Sequence, residues 1–443
     1  MFILHPLLKK FKDDFSLSRK GKERGAWFIY TLLAVIIPFT SSKTSNLLRC
    51  LHTVFGLTHI TRRRFYTFMA SPKLPWVRLW DTLRKAIPTP LTEGRLLIAL
   101  DDCINPKVGK KIFACHPFFD HAAKQNQSPY PWAQNIVAVG LLATVKGRWA
   151  CLPLDFRFYH PAKAFKDGEV RLGRKKIDFR TKLDQAAEML RSIHQAYKLP
   201  LLVVADSWFG NNGLWKPLHA MLGENVHLLS RLRSNINLFD LPKVSAQKRR
   251  GRPAKYGAPL GNASSMAAHG RDQVRPYDVN LYGRMRQVMA FDWVVMLKTL
   301  KRPVRVVWIF RNTRWIALFT TDLSLSVEQI VEYYGARWKI EAGFKELKQE
   351  IGSAQTQCRN PQAVVNHLNF CMMAASVTWI YAMHLDKTPK RRHAVNGRNH
   401  YAFSDVRRDI AKAVMSKDFC TICSHERKSI VNSLVEALLR MAA

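Results

Sequence analysis

The sequence predicts an α/β protein: a mixed sheet flanked by helices, interrupted by a β-rich insertion and bracketed by helical, basic N- and C-terminal regions. Three observations carry this. Between residues 95 and 232 the apolar patterns run strand, strand, strand, helix, strand, helix, strand. Three runs rich in Val, Ile, Phe and Trp follow between 288 and 320. Helical spacing then returns at Tyr334–Lys348.

Taken in order, residues 1–90 read as helical and basic. Ser45–Phe55 has helical apolar spacing, Gly56 marks a turn, and Thr61 is placed to cap a second helix through Met69. Two short helices with a basic second member suit a helix-turn-helix, or equally a small helical subdomain with solvated arginines. Pro88 and Pro90 mark a boundary. The core then takes residues 91–235 and 325–385. Its strands are Arg95–Leu100 ending in Asp101-Asp102, Asn135–Lys146, Trp149–His160, Leu201–Ala205 ending in Asp206, and Val226–Leu232. Its helices are Thr181–Tyr197 and Asn212–Leu222. In the insertion, 236–324, residues 235–280 read as an exposed loop carrying Lys248-Arg-Arg-Gly-Arg-Pro253. Val288–Lys298, Val304–Arg311 and Trp315–Thr320 read as strands. Ser326 caps the helix that follows, and residues 386–443 close the chain as a basic helical region.

Composition narrows the function. Apolar content of 47% and charged content of 23% exclude a disordered chain. Seventy Lys and Arg against 32 Asp and Glu leave a net charge of +38, which calls for a polyanionic partner, nucleic acid first. Ala26–Phe39 is too short to span a bilayer, and Val364–Leu385 is interrupted by Asn366, His367 and Asn369, so no membrane partner is expected. Eight scattered cysteines outline no disulfide framework and suit a reducing cytosol. Cys420 and Cys423 with His425 lack a second ligand pair for zinc. His116, His121 and His160 carry no ligand spacing. Trp293, Trp308 and Trp315 read first as β core, with stacking on an unpaired base as the other role.

On a helix, Tyr334, Arg337, Glu341, Lys345 and Lys348 share one stripe, beside a second stripe of Tyr333, Ile340, Phe344, Leu347 and Ile351. A lone carboxylate among cations is either a solvated face or a metal-binding acid working against phosphates. Asp101 and Asp206 at strand ends supply two more acids, on the side of a sheet where ligands gather. Three such carboxylates suit hard divalent cations for phosphoryl transfer.

These residues resemble the DDE transposases of bacterial insertion sequences, in the branch with a β-rich insertion before the third acid. The match is Tyr-x-x-Arg-x-x-x-Glu-x-x-x-x-x-x-Lys at Tyr334, Arg337, Glu341 and Lys348, together with the Asp101 and Asp206 strands. Cys103 departs from the usual Thr or Ser two places after the first acid, and Asp102 is an alternative to Asp101. The resemblance, over about residues 95–385, implies an RNase H-like core and a catalytic, metal-binding triad of Asp101, Asp206 and Glu341. It also implies Mg²⁺ or Mn²⁺, with two ions. DNA contacts are expected from Tyr334, Arg337 and Lys348, and the Arg250-Gly-Arg252 loop resembles a minor-groove hook. The expected activity is cleavage and strand transfer on transposon ends and target DNA, by a homodimer in the bacterial cytoplasm at the nucleoid. A non-catalytic DNA-binding repressor or an RNase H-like recombination nuclease are the alternatives.

Overall fold

One mixed sheet runs through the computed structural model, which describes residues 2–120, 123–166, 168–242, 254–393 and 400–415. Five helices come first: α1 (His5–Asp13), α2 (Arg19–Ile36), α3 (Thr44–Thr53), α4 (Arg62–Met69) and α5 (Trp76–Lys85). Next come β1 (Leu91–Thr92), β2 (Arg95–Pro106), β3 (Cys115–Pro117), β4 (Trp132–Val145), β5 (Arg148–Tyr159), α6 (Ala162–Lys166) and the small hairpin β6 (Arg171–Leu172) and β7 (Lys175–Lys176). The chain continues through α7 (Lys182–Tyr197), β8 (Leu201–Ala205), α8 (Asn212–Leu222) and β9 (Val226–Leu232). Then follow β10 (Asn237–Phe239), β11 (Pro259–Asn262), α9 (Ala263–His269), β12 (Arg275–Leu281), β13 (Arg284–Leu297), β14 (Arg302–Arg311) and β15 (Arg314–Thr320). Helices α10 (Val327–Ala336), α11 (Trp338–Lys345), α12 (Pro361–His384) and α13 (Phe403–Met415) complete the described residues.

The sheet order is β11-β10-β13-β14-β15-β9-β8-β2-β4-β3, with β1 on β2, β12 on β13 and β5 on β4. Strands β2, β8 and β9 are parallel neighbours, Leu100 standing level with Ala205 and Ala205 with Ser230. β2 from Leu96 to Leu100 and all of β8 are fully buried apolar runs up to the acids, as strands covered on both faces must be. The insertion strands are present, but they are hydrogen-bonded onto this same sheet through β15 and β9 rather than set apart. Residues 235–280, expected as loop, include β10, β11, α9 and β12. Their polar strands carry little apolar alternation, so only pairing reveals them: β10 and β12 on β13, and β11 on β10.

Local signals account for most boundaries. Thr181 with Asp184 and Ser326 with Gln329 form capping boxes, and Thr61 accepts from the Arg64 amide. Lys146 and Gly147, at φ 47° and 79°, make the tight β4–β5 turn. α12 is long and apolar enough to cross a membrane, yet 94% of its most apolar window is buried inside the protein. Its polar side chains are satisfied there: the Trp76 and Trp80 indoles donate to Asn366 and Asn369 at 2.8 Å. Arg407, from α13, donates to the Ile36 carbonyl that ends α2. Of the C-terminal region, residues 394–399 and 416–443, with Cys420 and Cys423, lie outside the described residues.

Candidate active site

Strand alternation decides which side chains can meet. On β2, Leu97 and Ala99 pack with Ile330, Tyr333 and Ile340 of α10 and α11, whereas Leu96, Ile98 and Leu100 belong to the core on the other face. Asp101 therefore faces α11. On β8, Leu202 and Val204 lie on that same face, so Asp206 follows them toward it. Because Leu100 is level with Ala205, Asp101 and Asp206 extend neighbouring parallel strands by one residue each, at their carboxyl ends. α11 brings Glu341 over the same edge.

Arg337 joins the acids. Its guanidinium donates to Asp101 Oδ2 and to Glu341 Oε1, both at 2.9 Å, and the residue is only 7% exposed. Asp206 Oδ1 accepts from the backbone amides of Trp208 and Phe209 at 3.0 Å, which fixes its rotamer. The Ser230 hydroxyl donates to the Asp206 carbonyl at 2.7 Å. Burial pushes the Asp101 carboxyl up to about 7; Arg337 opposes the rise and the neighbouring Asp206 adds to it. Asp102 points to the opposite face, where Lys182 Nζ and Asn135 Nδ2 donate to its Oδ2 at 2.9 and 2.7 Å. Of the two adjacent aspartates, only Asp101 shares a face with Glu341.

Among the described residues no three His, Cys, Asp or Glu side chains converge closely enough to hold an ion in this arrangement. The guanidinium of Arg337 occupies the space between Asp101 and Glu341. The donor set nevertheless fits a hard cation. Every candidate ligand is a carboxylate oxygen, and burial holds the Asp101 carboxyl above its ordinary range, so a cation there would be welcome.

The other expected contacts fare differently. Tyr334 sits on α10, its ring 5.5 Å from the Arg337 guanidinium carbon, and burial raises its phenol. The expected single helix breaks at Arg337 and, after α11, runs into a π-helical turn, Glu346–Ile351. Lys348, in that turn, donates to the Ile104 carbonyl at 2.8 Å. Arg337 and Lys348, expected on phosphates, are thus both engaged inside the fold. Lys345 is exposed in the last turn of α11. Arg250 and Arg252 lie outside the described residues, as does His121. His116 and His160 bond each other at 3.1 Å, and burial pushes His160 down to about 4. Trp308 is core, stacked on Phe291 at 4.7 Å, but Trp293 is exposed. Trp315 lines a cavity of about 540 Å³ with Ser207, Arg231 and Arg233, next to Asp206.

Two neighbours escaped the sequence-based expectations. Trp208 and Trp338 expose 44% and 51% of their surface beside Asp206 and Arg337. Lys182 supports the first, its ammonium 5.4 Å from the Trp208 ring while paired to Asp102. Their position within two residues of a candidate site residue was the available signal.

No curated protein matches the chain. The family model for DDE superfamily endonucleases matches residues 42–285, just over half of the chain, from the segment just ahead of α3 into β13. That span includes Asp101 and Asp206 and ends ahead of α11. With the two acids on adjacent strand ends inside the match, the chain belongs to the DDE superfamily of endonucleases.

Proposed function

We propose that this protein is a DNA transposase with an RNase H-like core, which binds the terminal inverted repeats of its element and carries out strand cleavage and strand transfer. The observation that supports this is the placing of Asp101 and Asp206 on adjacent parallel strand ends, with Arg337 bridging Asp101 to Glu341 of α11. Asp101, Asp206 and Glu341 would hold Mg²⁺ or Mn²⁺, two ions in all. When bound, such cations would supply Lewis-acid stabilisation of the charge that develops in phosphoryl transfer.

The chain's own residues do the rest. The Trp208 and Phe209 amides orient Asp206. Arg337 holds Asp101 and Glu341 together until a cation competes for their oxygens. α4 turns Arg62, Arg63 and Arg64 to the surface, supporting DNA binding by residues 1–90. Arg250 and Arg252 add a minor-groove contact. A homodimer brings the two element ends together, in the bacterial cytoplasm at the nucleoid.

The test uses purified protein, Mg²⁺ and duplex DNA carrying the inverted repeats that flank its gene. Cutting at the repeat ends is expected, and D206A should abolish it. Intact DNA with the unaltered protein, or equal cutting by D206A, sinks the proposal.

A further inference from the structure

Two lysines cross in opposite directions between the strand that carries Asp101 and the helix that carries Glu341. Lys348, in the π-helical turn that continues α11, donates from Nζ to the carbonyl of Ile104, three residues beyond Asp101 on β2. Lys107, just past the end of β2, donates from Nζ to the carbonyls of Ala354 at 2.5 Å and Thr356 at 3.1 Å. Both acceptors lie where the helical segment ends, at the 3₁₀ turn Ser353–Gln355 and just after it. Carbonyls at such an end lack intrahelical donors and attract a cation.

Lys107 is 6% exposed, and none of its hydrogen bonds goes to a carboxylate. Burying an ammonium costs several kcal/mol in order of magnitude, and the two carbonyls that Lys107 meets offset part of that cost, so removing either would be felt at this junction. The contacts fall at two points of one helical stretch: Lys348 ties its middle to the strand, and Lys107 ties its end to the strand's exit.

Arg337 cannot serve this purpose during the reaction. It takes oxygens of Asp101 and Glu341 that a divalent cation would need. Resting on the assignment of those acids as cation ligands, we propose that Lys107 and Lys348 are positioning residues. They form a reciprocal latch that keeps β2 and α11 in register, so that Asp101 and Glu341 stay poised for a divalent cation once Arg337 gives way. Neither lysine touches the reacting atoms. Lys348, on this view, acts through the Ile104 carbonyl and not through a DNA phosphate.

The experiment measures Mn²⁺ binding to the full chain without DNA, by the electron paramagnetic resonance signal of free Mn²⁺, for K348M, K348R, K107M and D101N. Binding of a labelled duplex without metal is measured in parallel by fluorescence anisotropy. K348M and K107M should each weaken Mn²⁺ binding about 10-fold, in the range set by residues that orient metal ligands. K348R, which still donates to Ile104, should restore it to within about twofold, and K348M should leave duplex affinity within about twofold. Unchanged Mn²⁺ binding in K348M overturns the latch. So does a large loss of duplex affinity with a flatter salt dependence, which would make Lys348 a phosphate contact. If K107M does not fold, K348M decides, because its side chain is half-buried and meets only the Ile104 carbonyl and the Cys103 thiol on the strand. D101N separates the two ideas: Mn²⁺ binding untouched by D101N removes the ligand assignment, whereas binding lost in D101N but kept in both lysine variants removes the latch alone.

Discussion

Asp101→Asn should make the metal-free protein more stable, and by an amount that grows with pH. Burial, with Asp206 alongside, raises the Asp101 carboxyl from 3.8 to about 7 despite Arg337. For an acid raised on folding, the folded state binds its proton more tightly than the unfolded chain does. Stability is therefore highest below pH ~4, declines as pH climbs toward ~7, and is flat beyond. A rise of about 3 units at about 1.4 kcal/mol each amounts to roughly 4 kcal/mol of destabilisation at pH 8, and only about 1.5 kcal/mol at pH 5. The side chain is 16% exposed, so solvent screening takes little from these figures. Asn is neutral at both pH values and resembles the protonated acid. With an unfolding entropy of about 2 cal/mol/K per residue, the Asn variant should melt about 4–5 °C above the parent at pH 8 and about 2 °C above it at pH 5. Differential scanning calorimetry in EDTA at the two pH values reads this directly. A lower midpoint for the variant, or the same shift at both pH values, refutes the reasoning.

Other substitutions probe the remaining contacts. R337A should destabilise the metal-free chain by about 3 kcal/mol, because two carboxylates lose a buried partner. R337K should recover less than half of that in the same calorimetric assay, since an ammonium cannot fork between both acids; full recovery would show that charge alone matters. A Cβ at Gly210 would stand 2.1 Å from the Ser230 hydroxyl that holds the Asp206 carbonyl. G210A should therefore cost about 1–3 kcal/mol and slow DNA cleavage; a neutral G210A contradicts the contact. Gly343, on α11, has open space where a Cβ would go, so G343A should raise stability by about 0.5–1 kcal/mol in denaturant titration. A destabilised G343A would mean that the helix is not formed as described.

Legibility in the sequence followed the physics of each element. β8, α8 and β9 were predicted at their observed limits because each is an apolar or amphipathic run closed by a turn residue. The insertion strands β13–β15 were visible through β-branched and aromatic runs, but their junction with β9 was not, since pairing partners leave no trace in composition. β10 and β12 were hidden because one neighbour, β13, supplies their order. Asp101 and Asp102 could not be separated by spacing. Facing side is set by alternation relative to α11, which is a property of the assembled layers. The helix stripes persist through the π turn: Leu347 and Ile351 are buried, and Lys348 reaches Ile104 on the strand that Arg337 also meets, while Lys345 alone of its stripe turns to solvent.

The charge arrangement gives the site its character. Two half-buried carboxylates side by side at strand ends repel each other, and a fold that keeps them there forgoes stability that an amide at Asp101 would recover. Arg337 makes the arrangement tolerable without a metal by bridging Asp101 to Glu341, one helical turn further on. Its backbone stays helical across the α10–α11 junction, so both side chains share the face turned to β2. Lys107 and Lys348 hold strand and helix by bonds to backbone carbonyls, which no incoming cation displaces. The site thus separates two tasks: one arginine neutralises the acids and can be displaced, while two lysines set the spacing and stay. Loss of Arg337 should act mainly on the stability of the metal-free protein. Loss of either lysine should act mainly on how well the acids accept a cation.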